Sequence, residues 1–120
     1  MVNTYWDLTN KFNDNSRSIN IEIGSYNYMV VHIITNSATI SFKASMDGNE
    51  IATSSLGSTS QVINFVAVQG VNLSTGTAAT SIVATAAPGT IWQFGVVGRY
   101  FQFSGGGTVG KLLIQLSKIQ

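Results

Sequence analysis

Few residues in this chain are of a type that performs chemistry. Among 120 residues there are one His, no Cys and five Asp and Glu. Nucleophilic catalysis would place His32 beside a Ser or Thr and a carboxylate such as Asp7, Asp14 or Glu22. No Gly-x-Ser-x-Gly elbow is present to carry the nucleophile. A carboxylate pair for glycoside hydrolysis would have to come from the same small set of acids, and all but Glu22 lie near the N-terminus or at one turn. Asp47, Asn49 and Glu50 are rich in oxygen, but Ca²⁺ takes about six to eight oxygen ligands, so a β-turn whose Asp caps its own backbone is the expectation. Ser104-Gly105-Gly106-Gly107 lacks the Lys-Ser/Thr and the helix of a phosphate loop and reads as a hairpin turn. Without a second His or a Cys, a transition-metal site within one chain is not expected; three copies of His32 around a trimer axis would escape that argument. The expectation is a protein that is not an enzyme, with no cofactor and no metal.

The composition points the same way. Charged residues make up 9% of the chain, against about 25% in an average domain. The surface must then be Ser, Thr, Asn, Gln and Gly, which suits a protein held inside an assembly or facing neutral partners. Lys11, Arg17, Lys43, Arg99, Lys111 and Lys118 are scattered and the net charge is +1. Nucleic acid requires clustered cations, so none is expected as a partner. No stretch reaches the roughly 18 apolar residues of a membrane span, and the polar first 18 residues do not resemble a signal peptide. A chain of this length buries about two thirds of its unfolded surface, enough for one domain without disulfides.

The elements that must position these residues are strands. Residues 1–18 are Asn-rich and lack a period of two, so they read as an extended N-terminal arm with Tyr5, Trp6 and Phe12 as anchors for a partner. Residues 19–120 form the sandwich domain. Ile19, Ile21 and Ile23 alternate with polar residues. Tyr26 to Thr35 is apolar on both faces. Ala38, Ile40, Phe42, Ala44 and Met46 face inward on the next strand, and Asp47-Gly48 turns the chain. Gln61 to Gln69 is a strand, Gly70 to Thr80 an exposed excursion, and Ser81 to Thr85 a short strand. Thr90 to Val96, Arg99 to Phe103 and Thr108 to Ile119 complete the pattern, and no helix is expected. The fold class is therefore all-β: an antiparallel β-sandwich of about eight strands, jelly-roll-like or immunoglobulin-like.

Two strands offer a second apolar face, Tyr28 to Ile34 and Thr108 to Leu116. Monomers rarely leave large apolar patches in water, so Tyr28, Val30, His32 and Leu113 are candidate oligomer-interface residues. Trp92 and Tyr100 are candidate glycan contacts in an alternative reading.

The segment ATISFKASMDGN, Ala38 to Asn49, resembles the strand and Asp-Gly turn of β-sandwich domains in tailed-phage virion proteins and in some discoidin-like carbohydrate-binding modules. IWQFGVVGRYFQF, Ile91 to Phe103, resembles the companion piece of the phage pattern, and Ser104 to Ser117 its ending. The resemblance covers about the last two thirds of the chain. It implies a structural virion protein: a head decoration or cement protein on the capsid surface, a homo-oligomer expected as a trimer, with the major capsid protein as partner. Deletion of residues 1–14 is then expected to abolish attachment and leave the sandwich folded. The alternative is a tail or fibre adhesin or carbohydrate-binding module, and a further one is a secreted or pilus-like structural domain.

Overall fold

Alternation in the sequence becomes two stacked sheets. The computed structural model describes residues 2–14, 17–24, 26–35, 39–46, 64–83, 85–95 and 99–118. The turn at Asp47, Asn49 and Glu50 lies outside these residues. The elements in chain order are β1 (Val2–Asp7), α1 (Thr9–Asp14), β2 (Ser18–Glu22), β3 (Tyr28–Thr35), β4 (Ile40–Ser45), β5 (Val66–Ala67), β6 (Gly70–Asn72), β7 (Ala78–Ala79), β8 (Ser81–Ile82), β9 (Thr90–Gly95), β10 (Tyr100–Gly105) and β11 (Val109–Lys118). Among the described residues, the larger sheet has six strands in the order β1-β11-β3-β9-β6-β7, and the smaller has the order β2-β10-β4-β5, with β8 also on β4. Every pairing is antiparallel. The fold is an antiparallel β-sandwich.

Its core lies where the inward faces meet. Met29, Val31 and Ile33 of β3 and Leu112, Ile114 and Leu116 of β11 face Phe42 of β4 and Phe101 and Phe103 of β10, all buried. Phe42 stands at the centre of an aromatic cluster. Its ring lies edge-on to Phe94 at 4.8 Å and to Phe103 at 5.9 Å between centroids, and tilted to Trp92 at 5.5 Å. These are the preferred edge-to-face geometries of aromatic pairs. Gly70 is required beside this cluster, because a Cβ there would run into the Phe94 ring. The buried Thr35 is satisfied by Thr85, whose N–H donates to Thr35 Oγ1 at 2.6 Å, and no buried side-chain N or O among the described residues lacks a partner.

Several expectations are corrected. Residues 2–14 are not an extended arm. β1 pairs with β11 from Val2↔Lys118 to Asp7↔Leu113, and α1 closes one end of the core with Phe12 fully buried. Apolar burial by Leu8 and Phe12 outweighs the polar composition of this segment. Gly70 to Thr80 is not a plain excursion, because β6 and β7 form a hairpin whose Asn72 accepts from Ser74 N at 2.8 Å. Met46 is 72% exposed rather than inward, since it lies past the last paired residue of β4. Ser104 and Gly105 belong to β10 rather than to the turn.

Candidate interaction surface

The outer face of the larger sheet gathers the residues singled out for assembly. In β3, Met29, Val31 and Ile33 turn inward, so Tyr28, Val30, His32 and Ile34 turn outward. Register then sets their neighbours. Leu113, His32 and Ile91 form one cross-strand row, with Asp7 beyond Leu113. Gln115, Val30 and Gln93 form the next, flanked by Tyr5 on β1 and Val71 on β6. Ser117 and Tyr28 begin the third row. Directly opposed residues on one face have Cβ atoms about 5 Å apart, so these rows make a continuous surface. It holds a shallow groove of about 490 Å³ lined by Tyr5, Val30, His32, Ile91, Leu113 and Gln115. Tyr5 is 67% and Ile91 42% exposed.

His32 is held in place on this face. Its Nε2 lies 2.7 Å from the carbonyl oxygen of Pro88. A carbonyl only accepts, so Nε2 carries the proton. The imidazole thereby ties β3 to the turn before β9. At the rim, Asp7 accepts from the Thr9 hydroxyl at 2.7 Å and from Thr9 N at 3.1 Å. The Thr9 hydroxyl and then its N–H hold the Asp7 carboxyl below its usual range, with a smaller contribution from the Lys111 charge.

Tyr28, Val30, His32 and Leu113 thus share one face, and Tyr5 joins them. Phe12 does not, being buried in the core, so it is no partner contact. Trp6 opposes Ile114 and points to the other side of the sheet, where it remains 40% exposed at the sandwich edge. Trp92 is buried, with its indole N–H donating to Thr90 Oγ1 at 2.8 Å, whereas Tyr100 faces outward on the smaller sheet. The two do not form a common glycan platform. Ile91, Gln115 and Val71 were not singled out from the sequence. For Ile91 the signal was present, because it alternates with the inward Trp92 and Phe94. No group of three His, Cys, Asp or Glu side chains that could hold a metal occurs among the described residues.

A prophage-derived protein shares this fold. The crystal structure of SPBc2 prophage-derived protein YomS matches this chain with a TM-score of 0.63 at 16% identity, over 96% of this chain and 92% of YomS. The likeness is one of fold, and it spans nearly the whole of both chains. No protein-family model matches the chain, and no curated protein matches it in sequence.

Proposed function

We propose that this chain is a non-enzymatic structural protein of a phage particle: a head decoration protein that binds the major capsid protein, works as an oligomer and stabilises the shell. The observation that carries this reading is the outer face of the larger sheet, where Tyr5, Val30, His32, Ile91 and Leu113 form a continuous apolar surface set by register. A fold shared with a prophage-derived protein and a low share of charged residues, 9% of the chain, support it. The face works by buried area, and many weak contacts repeated over a shell hold where one would release.

Particles purified from the phage or induced lysogen that encodes the chain test this. Mass spectrometry is expected to find the chain in stoichiometric proportion to the major capsid protein. A Val30→Asp/Leu113→Asp variant is expected to fold, because both side chains face outward, and to be missing from the particles. Absence of the wild-type chain from particles, or normal incorporation of the variant, would overturn the reading. The glycan-binding alternative has no aromatic platform at Trp92 and Tyr100 to rest on.

A further inference from the structure

A cleft runs along one side of the sandwich. β1 is the last strand of the larger sheet and β2 the last of the smaller, and α1 closes one end of the core between them. Beside these three elements lies an open cleft of about 950 Å³, within the range of about 300–1,000 Å³ usual for small-molecule sites. Its apolar lining is Trp6, Ile19 and Ile21, and its polar wall is Asn10, Lys11 and Asp14 of α1.

The groups in this cleft are unengaged. Trp6 turns to the inward side of β1 with Ile114 as its cross-strand partner. Ile114 is buried, but Trp6 faces the cleft and stays 40% exposed. The buried Trp92 donates its indole N–H to Thr90, whereas that of Trp6 has no acceptor among the described residues. Asn10, Lys11 and Asp14 share the side of α1 opposite the buried Phe12. Among the described residues their side chains have no hydrogen-bond or ion-pair partner either.

What such a cleft takes follows from these groups. A sugar ring has a face of C–H groups and a rim of hydroxyls, each of which both donates and accepts. An open indole ring suits the face. A mixed set of amide, ammonium and carboxylate groups suits the rim, whereas a cationic ligand would need acceptors only. Anions are disfavoured, because Asp7, Asp14 and Glu22 outnumber Lys11 around the cleft. The carboxylates do not converge as metal ligands do, since no group of three that could hold a metal ion occurs among the described residues. We propose that this cleft binds a neutral saccharide, with a sugar ring stacked on Trp6 and its hydroxyls bonded to Asn10, Lys11 and Asp14. Trp6 turns away from the outer face of the larger sheet, so a chain docked by that face still offers this site.

Binding of the full chain to immobilised glycans tests it. The array carries neutral oligosaccharides of glucose, galactose, mannose, rhamnose and N-acetylglucosamine, with sialylated glycans beside them. The wild type is expected to bind at least one neutral glycan in preference to the sialylated ones. Titration calorimetry with that glycan is expected to show Trp6→Ala weaker by about tenfold, the usual scale for truncating a Trp contact, and Trp6→Phe close to the wild type. Asn10→Ala/Asp14→Ala changes two exposed side chains and should weaken binding by roughly tenfold with an unchanged melting temperature. This variant decides the matter if Trp6→Ala does not fold. A wild type that binds no neutral glycan would overturn the inference. So would a preference for sialylated glycans, and so would binding that neither Trp6→Ala nor the double variant weakens.

Discussion

The side chain of Asn13 bonds both backbone groups of Val109, a residue 96 positions away. Asn13 Nδ2 donates to Val109 O at 2.9 Å, and Val109 N donates to Asn13 Oδ1 at 2.8 Å. The amide thus occupies the place of a neighbouring strand. β1 ends at Asp7, yet the edge of β11 continues for several residues past their pairing. Leu8 N donates to Leu112 O at 2.8 Å, and Leu112 N donates to the Thr9 hydroxyl at 2.9 Å. Asn13 then takes Val109, where β11 shifts register against β3. α1 extends the pairing of the sheet with side chains.

Replacing Asn13 with Ala leaves two part-buried backbone groups without partners. The expected loss is about 1–3 kcal/mol, measured by urea unfolding. Asn13→Asp is expected to lose more, because an ionised carboxylate cannot donate to Val109 O and repels it.

Phe12 should behave as a core residue. Phe12→Ala is expected to cost about 3–5 kcal/mol, the usual result of truncating a buried Phe. Deletion of residues 1–14 removes Phe12, Leu8 and all of β1 together. Against a total stability of about 5–15 kcal/mol for a domain, that truncated chain is expected to be unfolded by circular dichroism. A folded truncated chain would show that the segment is dispensable.

Phe42 joins the two sheets. Its ring meets Trp92 and Phe94 of one sheet and Phe103 of the other. Phe42→Ala is expected to cost about 3–5 kcal/mol, and Phe42→Leu less. Denaturant midpoints of the two variants check this order.

Asp7 adds an acid-sensitive contribution. Its pKa is lowered in the folded chain, chiefly by the Thr9 hydroxyl and N–H. A group whose folded pKa lies below its unfolded value stabilises the fold above the unfolded value, and that stabilisation fades as pH falls through the folded one. Melting temperature is therefore expected to fall toward acid pH, and Asp7→Asn should flatten that part of the curve. Equal acid slopes for the two proteins would assign the sensitivity elsewhere.

The two-layer β fold and most of its core were legible because a strand repeats every two residues. Ile40, Phe42 and Ala44, or Leu112, Ile114 and Leu116, declare one face without reference to any partner strand. The same parity located the outward Tyr28, Val30, His32 and Leu113. Trp92 could be read both ways from the sequence, because an aromatic side chain suits a core as well as a sugar site, and only its strand's orientation, with Phe42 against its ring, decided for the core. The N-terminal segment was misread. α1 is six residues long, too short for its own periodicity to show, and isolated helices of this length are marginal in water. What holds it is the edge of β11, about a hundred residues later in the chain. Local alternation by itself determined which residues could face a core and that the chain would build sheets. Only the tertiary structure decided which strands became edges and which aromatics were buried, because hydrogen bonds such as Asn13 to Val109 join residues whose proximity no local pattern encodes.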